Sequence, residues 1–280
     1  MAAVVLLCAA MTATPIVSEQ ETPFGISPNP LLLFITPGIE AALFKARFAI
    51  NRRQGVSALL GDVGTGKSTL VRYLYAEYDA RPDTVALMVV TSEFTSDFAM
   101  IRQITHDFGL PARRSVQGHL AEFYEFLVAQ GEAGRNVVLF LDEAQKMTNG
   151  QLETVRTFLN YESNNAKLIQ VILSGQLELK GRLLSQPLRA LHSRIVAPSV
   201  LAPLTLDELG QMIQFRCQAA KIQNPVGKDA LDALYLHSQG VPRSALRLLS
   251  FAYEMLSLTG DAQVSRELID QAAEEVNLSE

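Results

Sequence analysis

The chain has 280 residues, 48% of them hydrophobic and 19% charged. That suits one large folded domain or two small ones and excludes a disordered polypeptide. A net charge of −5, from 24 basic and 29 acidic residues, excludes a uniformly basic nucleic-acid coat but leaves room for a local patch. Two cysteines, Cys8 and Cys217, exclude a disulfide framework and sit in no metal-like cluster, a usage that fits a reducing compartment.

No apolar run reaches the roughly 18 residues that a membrane-spanning helix needs. Residues 2–11, AAVVLLCAAM, have signal-peptide length, but no Lys or Arg precedes them and no A-x-A site follows. The expectation is therefore a tail over 1–21, with Met11 as an alternative start, on a cytoplasmic protein.

Residues 23–37, PFGISPNPLLLFITP, read as an extended segment packed on a domain. A helix is expected over 38–53, with Ile39, Ala42, Leu43, Ala46 and Ile50 on one face. A buried strand over 56–60 leads through a Gly-rich turn into a helix over 67–78. A second strand covers 84–90, and helical patterns occupy 95–108 and 115–130. Residues 136–141, NVVLFL, are a continuous apolar run of the kind buried on both faces of a parallel sheet. A helix near 149–160 leads to a fourth strand at 168–173, and a helix near 176–184 to a fifth at 195–201. This alternation predicts a doubly wound α/β domain. After Pro203 only helical periodicity remains, near 205–220, 227–238, 242–258 and 264–276, with Thr205 and Glu208 at capping-box spacing. The organisation expected is a core over 22–203 and a small all-helical domain over 204–280.

Residues 61–68 read GDVGTGKS, a full match to G-x-x-x-x-G-K-[ST] between a buried strand and a helix. Gly61, Gly64 and Gly66 permit backbone turns that other residues resist. The N–H groups of Asp62, Val63, Gly64, Thr65 and Gly66, with those of Lys67, Ser68 and Thr69 opening the helix, can then cradle phosphate oxygens. Lys67 supplies a point charge for the β- and γ-phosphates, and Ser68 a hydroxyl for Mg²⁺. The alternative is a Gly-rich turn with an exposed lysine.

Residues 136–143, NVVLFLDE, end an apolar strand in two carboxylates at the sheet edge where ligands of open α/β sheets bind. Asp142 can hold the metal through water, and Glu143 can accept a proton from attacking water. Ser174 and Gln176 end the fourth strand, where a polar side chain can position that water or merely stop the strand. Arg194 opens the fifth strand and can reach a neighbouring subunit's γ-phosphate, with Arg189 as the competing candidate. Arg243, in GVPR, stands at a helix start where the dipole disfavours a cation unless an anion is bound. A solvated arginine is the alternative for each of the three. His106, His119, His192 and His237 match no ligand spacing. Arg52–Arg53 and Arg113–Arg114 are short basic pairs without interleaved aromatics.

In this order the segments GDVGTGKST, LFLDEAQ, ILSGQLEL, SRI and GVPR resemble the AAA+ ATPases. With PFGISPNP they look most like the ExeA-type ATPases of the general secretion pathway, and more distantly like the TniB and TnsC kind of transposition regulator. The resemblance implies a P-loop NTPase core with a five-stranded parallel sheet and a helical lid. It also implies Mg-ATP bound between them and hydrolysis completed by a neighbour in a homo-oligomer. It makes Ser174 or Gln176 sensor 1, Arg194 the arginine finger and Arg243 sensor 2. ExeA-type proteins continue into a membrane span and a wall-binding part, whereas this sequence stops after the lid. The expected role is thus an oligomeric ATP switch of the DNA-associated transposition type, with duplex DNA and a transposase-like partner. The alternatives are a secretion-assembly ATPase with an inner-membrane partner, and a nucleotide-sensing scaffold with little turnover.

Overall fold

The computed structural model describes residues 23–163, 166–259 and 262–277. The expected tail, its alternative start at Met11, and Cys8 lie outside them. By contact the described residues form two units, one of Pro37–Val63 and Lys67–Leu201, the other of residues 23–36, Gly64–Gly66 and residues 202–277.

The first unit holds strands β1 (Val56–Gly61), β2 (Thr84–Val89), β3 (Asn136–Leu141), β4 (Ile169–Gly175) and β5 (Ser199–Leu201), in the order β2-β3-β4-β1-β5. Every pairing is parallel. The helices are α1 (Pro37–Asn51), α2 (Lys67–Asp79), α3 (Asp97–Asp107), α4 (Val116–Glu132), α5 (Asn149–Phe158), α6 (Leu177–Leu183) and the single turn α7 (Arg189–His192).

All of β1 and β4 is buried, as is β3 beyond Asn136. That burial explains the continuous apolar run Val137–Leu141 and the few polar residues in the other two, Ser57, Gln170 and Ser174. Side chains alternate between the faces of a strand, and the two faces find different partners. Val56, Ala58, Leu60, Val137, Leu139, Leu141, Val171 and Leu173 share one core with Met100 and Ile104 of α3, Phe123 of α4, Val155 and Phe158 of α5 and Leu179 of α6. On the opposite face the ring of Phe140 meets Tyr75 of α2 edge-on, at a centroid distance of 6.0 Å. The helix α2 is tied to α1 where the Tyr78 hydroxyl donates to Asn51 Oδ1 at 2.9 Å.

The fifth strand is shorter than its apolar sequence predicts. Ile195 makes an isolated bridge to Val56, but Ala197 then takes a left-handed φ of 50° and Pro198 has no N–H to give a ladder. Pairing resumes only at Ser199.

The second unit contains α8 (Leu206–Ala219), α9 (Lys228–Ser238), α10 (Pro242–Thr259) and α11 (Arg266–Asn277). The capping box expected at the start of α8 is formed: Glu208 N–H donates to Thr205 Oγ1 at 3.3 Å, and Thr205 N–H to Glu208 Oε2 at 2.9 Å. Leu209, Ile213, Cys217, Leu234, Leu249 and Ile269 make the core. Residues 23–36 group here, although the sequence reading ran the sheet domain from 22. Phe24 explains this, being fully buried in the helical core with its ring edge-on to Tyr253, while Arg216 donates to the Gly25 carbonyl at 2.8 Å. Among the described residues no helix is long and apolar enough to cross a membrane.

Candidate active site

The sheet register sets the site. Leu59 of β1 stands opposite Ser174 of β4, and Leu141 of β3 opposite Leu173. Beyond these pairs the three strands run out at one edge, so the loop after β1 and the carboxylates after β3 flank the end of β4.

Gly61 to Ser68 turns from β1 into α2, whose first residue is Lys67. Gly64 and Gly66 hold φ of 79° and 95°, left-handed values costly for any side chain. A Cβ at Gly66 would meet nothing within 4 Å, so conformation and not crowding demands glycine there. Open space beside this turn, at the N-terminus of α2, suits phosphate oxygens. Thr65 and Lys67 are buried, and the Lys67 ammonium donates to the Asp62 carbonyl at 2.7 Å. Val63 N–H bonds Asp62 Oδ1 at 2.8 Å. Ser68 and Thr69 lie half-buried in the first turn of α2.

Asp142 is 2% exposed. Its N–H donates to the Val89 carbonyl at 3.0 Å, its own carbonyl accepts from Ser92 at 3.1 Å, and its Oδ1 accepts from Glu143 N–H at 3.0 Å. Glu143 has a φ of 55°, uncommon for a residue with a side chain and typical of functional sites. The hydroxyls of Ser174 and Ser92 are fully buried and lack a hydrogen-bond partner among the described residues. A buried orphan hydroxyl is costly, and two of them, on β4 and just after β2, border the strand that carries Asp142.

These residues fit Mg-ATP. The Gly61–Ser68 turn and Lys67 would hold the phosphates, while Ser68 and Asp142 would hold the metal, which keeps oxygen ligands and most of its waters. No cluster of three metal-ligating His, Cys, Asp or Glu side chains occurs among the described residues, so phosphate and water would complete the shell.

Arg194 stands elsewhere. Its neighbour Ile195 pairs with Val56 at the start of β1, while the Gly61–Ser68 turn leaves from the far end, roughly 16 Å along the strand. The Arg194 guanidinium donates to the Arg156 carbonyl at 3.1 Å and to Asn160 Oδ1 at 2.7 Å, at the end of α5. Arg189 is exposed. Arg243 is exposed at the second position of α10, and its N–H donates to the carbonyl of Gly64, with which it groups, at 3.2 Å. Of the other basic residues, Arg113 is bound to Glu122, Arg53 donates to the Gly134 carbonyl at 3.2 Å, and Arg52 is exposed. His119 is buried, with Nδ1 2.8 Å from Thr105 Oγ1. His237 meets Asp270 at 2.7 Å.

Sequence reasoning missed Ser92 and Gln145. Ser92 sits in an irregular stretch after β2 that no motif marks. Gln145 lies inside LFLDEAQ but was given no role, although its Nε2 donates to Glu143 Oε2 at 2.7 Å.

Comparison with known proteins agrees with this fold. A family model described as an AAA domain matches residues 50–183. General secretion pathway protein A of Aeromonas hydrophila is 33% identical over 227 residues, 80% of this chain and 41% of that protein. The chain thus spans about two fifths of the curated relative it matches. Among solved structures, the Aeropyrum pernix ORC2 protein in ADPNP-ADP complexes superposes with a TM-score of 0.66 at 20% identity, covering 92% of this chain and 72% of that one. The ORC1 protein of the same organism, in complex with DNA, gives 0.67 at 20%, covering 91% and 69%. The Gly61–Ser68 turn, the Asp-Glu strand end, the β2-β3-β4-β1-β5 sheet and these likenesses lead to one conclusion: the chain carries an AAA domain over residues 50–183 and resembles the ExeA-type AAA+ ATPases.

Proposed function

We propose that the chain binds and hydrolyses Mg-ATP and works as an oligomeric molecular switch. One observation carries this reading. The glycine turn with Lys67, the Asp142–Glu143 pair and the unpartnered Ser174 hydroxyl end adjacent strands on the same sheet edge. Bound Mg²⁺ would neutralise charge developing on the phosphates. Lys67 and the loop N–H groups bind and orient those phosphates. Glu143 takes the proton of the attacking water, and Ser174 offers that water a hydrogen bond. Arg194 is too far from its own loop to serve it, so its γ-phosphate role falls on a neighbouring copy, which makes turnover depend on assembly.

For the biological role, the leading reading is a DNA-associated regulator of the transposition type, in the cytoplasm, with a transposase-like partner. Its support is the likeness to a fold whose ORC1 member was solved with DNA. A secretion-assembly ATPase with an inner-membrane partner is the second reading, favoured by the 33% identity to general secretion pathway protein A. Phosphate release by wild type, Lys67→Ala and Glu143→Gln tests the enzyme, and equal rates for all three would leave a nucleotide-sensing scaffold. Retention of duplex DNA by ATP-loaded protein tests the role. Binding that falls steeply with salt supports the DNA reading, and no retention even at low salt overturns it.

A further inference from the structure

The Gln145 amide joins two parts of the site. Its Nε2 donates to Glu143 Oε2 at 2.7 Å, and its Oε1 accepts the main-chain N–H of Gln176, just after β4, at 3.1 Å. The two partners fix the orientation of the amide, because a carboxylate only accepts and a main-chain N–H only donates. Arg182 of α6 clamps the turn that carries Gln145. It donates to the carbonyls of Gln145 at 2.8 Å and Met147 at 2.7 Å, and to Asn149 Oδ1 at 2.8 Å. Gly175 leaves room for the amide, since a Cβ there would stand 3.1 Å from Gln145 Oε1 and 2.7 Å from Leu179. The residue held by this arrangement is the one with a left-handed backbone, Glu143, a conformation that persists only where its surroundings impose it.

We propose that Gln145 is a positioning residue for hydrolysis. It aims the Glu143 carboxylate and ties it to the end of β4, so that displacement of Gln176 displaces the base. By occupying Oε2, the amide restricts the side-chain torsions of Glu143 and leaves Oε1 to take the proton from water. The inference rests on the hydrolase reading, in which Glu143 is the base.

The test is phosphate release at saturating Mg-ATP by the full chain, alongside equilibrium binding of a non-hydrolysable ATP analogue. Gln145→Met keeps the length of the side chain and removes both hydrogen bonds. It lowers kcat by roughly 10- to 100-fold, the scale expected for a misplaced catalytic group, while the dissociation constant of the analogue stays unchanged. In the Glu143→Gln background the same change costs nothing further, because its target is already gone. A structural role would instead weaken analogue binding or cost as much in both backgrounds. Gln176→Pro cuts the other end of the link at a φ of −75°, which proline accepts. It also lowers kcat, without adding to Gln145→Met, and it decides the matter if Gln145→Met fails to fold. A wild type without turnover overturns the hydrolase reading and this inference together. Wild-type turnover with equal or faster rates in both single variants overturns this inference alone.

Discussion

The Lys67 ammonium donates to the Asp62 main-chain carbonyl at 2.7 Å, so the side chain lies back along its own loop. A phosphate there would compete for the same donor. Lys67 has three protons to share and is only 6% exposed, so its desolvation is already met in part by the fold. Lys67→Ala removes the one side-chain cation of the loop. Charge-assisted bonds are worth about 1.5–3 kcal/mol, so the dissociation constant for Mg-ATP is expected to rise roughly 10- to 150-fold. Titration with a fluorescent ATP analogue measures this, and unchanged affinity would place the phosphates somewhere other than this loop.

Glu143→Gln keeps size and hydrogen bonding but removes the proton acceptor. Nucleotide affinity should hold, because no phosphate ligand is touched, while turnover falls about 10²- to 10⁴-fold, the usual contribution of a general base. Single-turnover phosphate release together with the binding titration separates the two effects. Undiminished release would remove Glu143 from the chemistry.

Arg194 has two jobs to distinguish. Its bonds to the Arg156 carbonyl and Asn160 Oδ1 brace the end of α5, so Arg194→Ala should cost about 1 kcal/mol of stability. If it also serves a neighbour's γ-phosphate, Arg194→Ala subunits hydrolyse slowly alone. They recover turnover when mixed with Glu143→Gln subunits, which hydrolyse very slowly themselves but carry an intact Arg194. A mixture as slow as its components leaves only the brace. Recovery in the same assay for Arg189→Ala, and not for Arg194→Ala, would pass the role to the exposed residue five positions earlier.

Elements governed by local rules were legible in the sequence. Residues 136–141 announced a two-face-buried strand because nothing polar interrupts them, and Thr205 with Glu208 announced a helix start because a capping box closes within four residues. The turn between β1 and α2 was equally legible, since its glycines are demanded by φ at Gly64 and Gly66. The fifth strand was misjudged because hydropathy does not report the left-handed turn at Ala197. Gln145 and Ser92 were missed for a related reason. Their importance lies in what the neighbouring strand brings to them, Gln176 in one case and Asp142 in the other, and no periodicity within their own segments encodes that. The placement of residues 23–36 was hidden likewise, because Phe24 finds its partner Tyr253 far along the chain.

Gly240 offers a prediction about the helical unit that does not depend on nucleotide. Its carbonyl accepts the Leu204 N–H at 2.8 Å, and its φ is 74°. A Cβ built there would stand 2.0 Å from the Leu204 carbonyl oxygen, a contact that backbone cannot relieve by rotating a side chain. Gly240→Ala therefore meets two penalties at once. The left-handed conformation costs about 1–2 kcal/mol, and the clash forces Leu204 away from its hydrogen bond, bringing the total to on the order of 3 kcal/mol. By contrast, Gly227→Ala places its Cβ in open space at an ordinary φ of −77° and should be nearly neutral. Urea denaturation followed by far-UV circular dichroism compares the two variants, and amide exchange over 228–259 shows whether the loss falls on α9 and α10. Equal stability for the two variants would mean that the approach of Gly240 to Leu204 is not a constraint on this fold.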